Sequence, residues 1–316
     1  MHRIQHLPSA SNVVMEVDMY VVLGASGHTG HVVAQNLLAR QQKVRVFGRN
    51  PAHLQDFASR GAEIFLGELT DAGALSKAFH QADAAYVLIP SNLAIDDPLG
   101  FMERVSDAIV AALRNTGIKH VVQLSGIGAD KASGSPIVAL HNFEQKLDQL
   151  ENTNVFHLRA GYFMENTLPQ ANIIRSAGSA IGPVRGDLKL PMIASRDVGA
   201  AAADVLVRLG FHGKEVHELL GERDINYNEV TAIIGEAIGK PDLKYTQAPD
   251  DQIRPALVKM GLSETFAVLI LETAAALNSG HVRALEPRTS SNTTATAYET
   301  FVSEEFMPAY QLRAAA

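Results

Sequence analysis

The sequence predicts an α/β fold: a doubly wound parallel sheet in the first half, followed by a smaller, mostly helical C-terminal part. Three observations predict it. Short apolar runs alternate with helical patterns along residues 19–160. The runs are rich in Val, Ile and Leu with little polar alternation, as strands covered on both faces require. A glycine-rich turn joins the first run to the first helical pattern. The 316 residues suffice for about two domains. The expected division is an N-terminal extension at 1–18, a sheet domain at 19–160, and a C-terminal part at 161–316 from which some segments return to the sheet.

The predicted strands are 19–23, 43–47, 63–66, 84–89, 119–124 and 155–158. Helical patterns fall between them at 28–40, 52–60, 71–80, 98–115 and 137–151. Asp71 is an N-cap for the third helix, and Gly117 stops the fourth. Beyond Arg159 the rhythm changes. Residues 178–192 are rich in Gly and Pro and read as strands and turns. A small-residue helix at 197–209 carries four alanines at 200–203, suited to tight packing. Residues 216–220 read as a strand, 226–238 and 250–278 as helical, and the Ser/Thr-rich stretch 288–296 as a loop.

Charged residues make up 19%, below the usual quarter or so, which excludes a disordered chain or a heavily charged coiled coil. The net charge is -7, and no run of five basic residues occurs, so direct nucleic-acid binding is not expected. Cysteine is absent, which excludes disulfides, thiolate metal sites and a cysteine nucleophile. The longest apolar run of interest, 266–271, stops at Glu272, so no membrane span is expected. Residues 1–14 lack the apolar core of a signal peptide, and Met15 and Met19 are alternative starts. A cytoplasmic location is the expectation.

Strand 19–23 runs into Gly24-Ala25-Ser26-Gly27-His28-Thr29-Gly30 and then into a helix. In such a unit the first glycine permits the sharp turn. The second lets backbone N–H groups approach a pyrophosphate, and the third lets helix and strand pack closely. The helix N-terminus adds partial positive charge and unpaired donors. Gly24, Ser26, Gly27, His28, Thr29 and Gly30 are therefore candidate dinucleotide-binding residues; a plain structural turn is the alternative. The second strand ends in Phe47-Gly48-Arg49-Asn50-Pro51. An NAD site carries an Asp or Glu here to accept from the ribose hydroxyls. A guanidinium cannot accept, but it grips a 2′-phosphate. Arg49 thus points to NADP(H), with His28 as a helper. The alternative for Arg49 is a solvated charge ahead of a Pro-started helix.

The glycine spacing resembles the short-chain dehydrogenase/reductase superfamily. Further segments narrow the resemblance: Arg49-Asn50-Pro51, Gly67-Glu68-Leu69, Leu124-Ser125-Gly126, the stretch from His141 to Leu147, Leu158-Arg159-Ala160-Gly161-Tyr162-Phe163-Met164-Glu165-Asn166, and Ala194-Ser195-Arg196-Asp197-Val198-Gly199-Ala200-Ala201. Together they resemble the NmrA-like family of atypical short-chain dehydrogenase-like proteins, from about residue 19 to 221. The resemblance implies a Rossmann domain, a smaller C-terminal domain and a substrate cleft between them. It implies that Glu68 and Leu69 line the adenine, with Glu68 standing where the family has Asp. Pro90 closes the fourth strand where the cofactor's ribose passes, and Lys146 approximates a lysine near the ribose. Some members reduce quinones or dyes with NADPH; others bind the nucleotide without known catalysis and act as redox-sensing regulators.

Ordinary members of the superfamily carry Tyr-x-x-x-Lys as proton donor and its tuner. None of the seven tyrosines here has Lys four residues on; Tyr162 meets Asn166 and Tyr245 meets Pro249. Ser125, ending the fifth strand, and His141, on the next helix, are the candidate catalytic residues, imidazole being the side chain that ordinarily titrates near neutrality. The alternatives are that His141 decorates a surface helix and Lys146 is a solvated charge. Tyr162, Phe163 and Asn166 form a candidate substrate wall, flat and aromatic with one amide. The alternative places Phe163 in the core and Asn166 at a helix cap. Ser195-Arg196-Asp197 reads as a cap and an ion pair that docks a helix. No metal site is expected: His217-Glu218 leads only to Leu219-Leu220-Gly221, not to a second histidine. Gln123 holds the place where a G-x-S-x-G elbow around Ser125 needs glycine. The resulting expectation is an NADPH-dependent reductase that passes hydride to a quinone-like or otherwise conjugated small-molecule acceptor. The alternative is a non-catalytic NADP(H)-binding redox sensor that regulates a protein partner.

Overall fold

The computed structural model describes residues 19–131 and 136–312. The expected extension at 1–18 lies outside them. Among the described residues seven strands form one all-parallel sheet: β1 (Tyr20–Leu23), β2 (Val44–Gly48), β3 (Glu63–Leu66), β4 (Ala84–Val87), β5 (His120–Gly126), β6 (Asn154–Ala160) and β10 (Lys214–Leu219). Their order is β10-β6-β5-β4-β1-β2-β3. The register aligns Tyr20 with Val44 on one side and with Ala84 on the other. From β1 the chain winds outward through β2 and β3, then returns to β4 on the opposite side of β1. That reversal is the switch point of a doubly wound sheet.

Successive strand residues feed opposite faces, as a period of two demands. Tyr20 and Val22 join one buried cluster with Val46, Tyr86 and Val122. Val21 and Leu23 join another with Phe47, Val87 and Val121. The second face is covered by α3 (Ala72–Phe79), α4 (Pro98–Thr116) and α5 (Ile137–Asp148). The first is covered by α1 (His28–Ala39), α2 (Gln55–Ser59) and α7 (Ser195–Arg208). Local signals place the ends. Asp71 accepts from the N–H groups of Gly73 and Ala74 at 2.9 and 3.0 Å. Gly117 ends α4 at φ +65, a left-handed turn that suits glycine. The predicted helix at 52–60 begins instead as a 3-10 turn, Pro51–Leu54, capped by Asn50.

Both α7 and β10 return to the sheet, and α7 packs along α1. Gly199 makes this approach feasible: a Cβ there would lie 2.6 Å from the Thr29 carbonyl oxygen. The remaining elements surround a third core and a small satellite cluster of Ala248, Ile253 and Leu271. They are β7 (Tyr162–Phe163), α6 (Gln170–Ala177), β8 (Ala180–Gly182), β9 (Met192–Ile193), α8 (Tyr227–Ala237), β11 (Tyr245–Gln247), α9 (Asp250–Lys259), α10 (Glu264–Asn278), α11 (Tyr298–Phe301) and α12 (Met307–Gln311). Met164, Ile174, Tyr227, Ile234, Tyr298, Phe301 and Phe306 meet in that core. Short parallel pairs, β7 with β9 and β8 with β11, stitch it together. Asn226 and Glu229 form a reciprocal capping box at the start of α8, both bonds at 2.9 Å.

Candidate functional site

The glycine loop leaves the carboxyl end of β1 at the switch point, beside the end of β4. Gly24 sits at φ +68, and a Cβ there would stand 2.9 Å from Leu88 Cδ2. Gly27 N–H donates to the Gly24 carbonyl at 2.9 Å and closes the turn. Gly30 is the tightest of the three: a Cβ would lie 2.4 Å from the Gly24 carbonyl oxygen, a backbone atom with nowhere to go. Ser26, Gly27 and His28 are exposed. No side chain caps α1 and its first turn holds no acid, so its leading N–H groups stay available to an anion. Thr29 is buried beneath the loop, where its Oγ1 accepts from Tyr86 Oη at 2.9 Å. It supports the loop and offers a ligand only its backbone. A pyrophosphate fits this cradle: space, donors and helix polarity all favour it.

The rim of the cradle is built by the ends of β2 and β3. Gly67 N–H donates to the Gly48 carbonyl at 3.1 Å, which sets the two loops side by side. Arg49 and Glu68 project from them with Arg49 Nε 4.0 Å from Glu68 Oε2, and both are exposed. Leu69 packs its side chain onto the sheet core. Pro90 follows the buried pair Leu88 and Ile89 at the end of β4 and is half-buried.

At the end of β5 the arrangement is different in kind. Ser125 is buried and donates its hydroxyl to Glu144 Oε1 at 2.5 Å. Glu144, itself buried on α5, accepts two bonds from Arg159, at 3.0 Å from Nε and 2.6 Å from Nη2. Ser125 and Arg159 thus both donate to the same carboxylate, the guanidinium as a two-pronged fork. One turn earlier on α5, His141 places Nδ1 2.8 Å from the Ala129 carbonyl oxygen. A carbonyl only accepts, so Nδ1 carries a proton and Nε2 is the nitrogen left for exchange with a ligand.

Lys146 leaves the candidate set. It lies near the C-terminal end of α5, which runs back toward the amino ends of the strands. Its ammonium sits between Glu103 at 2.5 Å and Asp107 at 2.6 Å on α4, with Ser106 at 3.1 Å. Burial works against its charge, but the two carboxylates outweigh that and raise its pKa. It fastens α5 to α4. Helical periodicity placed it on the correct element, but one helix separates its end from the cradle.

The proposed flat wall is also corrected. Tyr162 and Phe163 are successive residues of β7 and face opposite ways. Tyr162 turns into the C-terminal core, with its Oη 3.0 Å from that of Tyr227. Burial pushes its phenol pKa up, against the opposing pull of its polar neighbours Tyr227 and Asn166. Phe163 packs the other way, against the sheet cluster that includes Ala25 and Leu88 of the cradle. Asn166 is exposed. Of the three, Phe163 is the one packed onto the sheet cluster.

Several organising residues carry no signal in isolation. Glu165 Oε1 accepts from Ser195 N–H at 2.9 Å and from the Ser195 hydroxyl, capping α7 from a distant segment. Gly161 lets the Pro191 carbonyl approach to 2.2 Å of where a Cβ would stand. The conspicuous segment from Arg159 to Glu165 is therefore largely architectural: its charged ends lock α5 and α7. Arg196 pairs with Glu304, and Asp197 accepts from Thr296 N–H and Oγ1 at 3.2 and 2.8 Å, so Ser195-Arg196-Asp197 docks α7 as expected. Glu305, on the π-helical turn Val302–Phe306, feels Glu165, Arg196 and His28. Burial first, then Glu165, raises its pKa. Among the described residues no helix is long and apolar enough to cross a membrane, and no three His, Asp or Glu side chains cluster as metal ligands.

Known proteins share this architecture. The NADPH-dependent quinone oxidoreductase of Escherichia coli, solved with NADPH, superposes with a TM-score of 0.76 at 23% identity, over 90% of this chain and 98% of that one. The triphenylmethane reductase of Citrobacter sp., solved with NADP(H), gives 0.75 at 21% identity, over 90% and 99%. In sequence the chain is 27% identical to an NAD(P)H azoreductase of Xenophilus azovorans over 251 residues, 79% of this chain and 84% of that protein. It is also 27% identical to the nitrogen metabolite regulation-like protein bik4 of Gibberella fujikuroi, over 92% and 97% of the two chains. The model of the NmrA-like family matches residues 18–307, nearly the whole of the fold just described, and the chain belongs to that family.

Proposed function

We propose that the protein is an NADP(H)-dependent reductase that transfers hydride to a quinone-like or otherwise conjugated small-molecule acceptor. One observation carries this reading: an uncapped helix N-terminus in a glycine cradle at the switch point, with Arg49 where an NAD site needs an acid. The relatives named for quinone, azo and triphenylmethane reduction support it. Gly24, Gly27 and Gly30 would shape the pyrophosphate's cradle, the N–H groups of Ser26, His28 and Thr29 would hold it, and Arg49 would hold the 2′-phosphate. The bound nicotinamide supplies the hydride.

The chain's own residues then position and protonate. Leu88, against which a Cβ on Gly24 would press, and Phe163, packed on the same sheet cluster, would offer the reacting rings apolar contact. The Ser125 hydroxyl already directs its hydrogen to Glu144, so toward an acceptor it offers lone pairs only. His141, anchored through Nδ1, is the side chain that can pass a proton through Nε2. With no Tyr–Lys pair, oxidation of an alcohol lacks the proton acceptor that ordinary members of the superfamily use. An acceptor whose own electronics stabilise the incoming charge needs less help and takes its proton from His141 or water.

The test is NADPH consumption against a panel of quinones, azo and triphenylmethane dyes and enones. Slow, broad turnover is expected, with no efficient oxidation of secondary alcohols by NADP⁺. Robust alcohol oxidation contradicts the mechanism. Tight NADPH binding with no turnover of any acceptor favours a regulatory NADP(H) sensor acting on a protein partner.

A further inference from the structure

Resting on the dinucleotide reading above, we propose that Glu68 is a second selector of the cofactor, set against Arg49, so that the protein accepts NADH as well as NADPH. The sheet register brings the two residues together. Gly48 aligns with Leu66 across β2 and β3, and the Gly67–Gly48 hydrogen bond continues the pairing one step beyond. Residues 49 and 68 therefore leave the sheet at the same edge, and their side chains approach to 4.0 Å. Their polar neighbours are already engaged. Asn50 Oδ1 accepts from Ala52 N–H at 2.9 Å, and Asp71 caps α3. Arg49 and Glu68 cap nothing. At 73% and 64% exposure they are not held by packing either. They are the charged groups left at this edge to meet a ligand.

The two charges favour different cofactors. A 2′-phosphate is attracted by the guanidinium and repelled by the carboxylate, which also competes with it for Arg49. A free 2′,3′-diol gains an acceptor in the carboxylate and nothing from the guanidinium. The NADPH/NADH ratio is the difference of these effects rather than a property of Arg49 alone. One unit charge a few ångströms from the phosphate, in a well-hydrated setting, shifts affinity about three- to tenfold.

The experiment is titration of nicotinamide fluorescence for NADPH and NADH with the wild-type chain, E68Q, E68A and R49Q. E68Q removes the charge but keeps an acceptor. It is expected to tighten NADPH about three- to tenfold and leave NADH within about twofold. E68A is expected to tighten NADPH similarly and to weaken NADH. R49Q lowers the NADPH/NADH ratio. If E68Q leaves NADPH unchanged or weakens it while the wild type binds NADPH tightly, Glu68 is not a selector, and the dinucleotide reading stands. If the folded wild type binds neither nucleotide, both readings fall.

Discussion

The glycine loop after β1 and the serine end of β5 lie at the same edge of the sheet, two strands apart. The first is made of backbone. Gly24 and Gly30 stay bare because a Cβ would meet Leu88 at the first and the Gly24 carbonyl at the second. The second is made of side chains already spent on one another: Ser125 on Glu144, Glu144 on Arg159, His141 on Ala129. A backbone site advertises itself in sequence, because only glycine satisfies it. A side-chain site does not, because a serine or histidine reads the same whether it faces a ligand or a buried partner.

The contrast can be broken by filling the first region. Gly27 is extended, at φ -100 and ψ 179, and a Cβ there meets only the Gly24 carbonyl at 3.3 Å. Gly27→Val is therefore expected to fold but to abolish saturable binding of NADPH, because its branches occupy the pyrophosphate's place. Surviving affinity makes the loop a mere turn. Emptying the second region tests the other side. Glu144→Ala leaves Arg159 uncompensated at the end of β6, and urea unfolding is expected to show a loss of about 3–5 kcal/mol. A much smaller loss means solvent already shares the pair.

Arg49→Ala sits between these extremes. It is expected to weaken NADPH by about 1.5–3 kcal/mol and NADH far less, the worth of a charge-assisted phosphate contact. Equal losses in calorimetric titrations overturn the phosphate assignment. Smaller still is His141→Ala, which is expected to slow turnover by less than about a hundredfold if the ring only assists protonation. A complete loss at saturating acceptor makes it indispensable. The smallest effect concerns Glu305. Its folded pKa is raised, so the native state holds this proton more tightly than the unfolded chain does. The penalty is absent in acid, where both states are protonated, and grows as pH rises through the folded pKa. Glu305→Gln is expected to raise the melting midpoint slightly at neutral pH and to converge with wild type in acid.

The sheet was the most legible part of the fold. Predicted and observed strands agree within about two residues, because parallel strands buried on both faces show as apolar runs. β3 matches end for end, and Gly117 and Asp71 act where capping rules put them. The segment after Arg159 was less legible. β7 and β9 have two residues each and carry no periodicity, and α6 and β11 are short as well. Lys146 and Tyr162 show the limit at the site. Their element assignments are sound, yet what each side chain faces depends on Glu103 and Tyr227, 43 and 65 residues away. No local pattern encodes a partner at that distance. Glu165 is the same case in reverse, a residue whose task of capping α7 is set 30 residues downstream.

The closing segment has a consequence in time. Phe301 and Phe306 are fully buried, Glu304 holds Arg196, and Glu305 reaches the electrostatic neighbourhood of His28 at the mouth of the loop. α7, which this segment clamps, is the helix that lies along α1 through Gly199. On a ribosome adding about 5–20 residues per second, the glycine loop emerges roughly a quarter of a minute to a minute before Phe301 is added. Until α7 is made, β1, β2 and β4 can pair, but the flank of α1 that Gly199 will cover is open to solvent. The cradle is thus laid down by local sequence and given its final neighbours only by residues made well after it. A nascent chain can hold the loop's shape before it holds its surroundings.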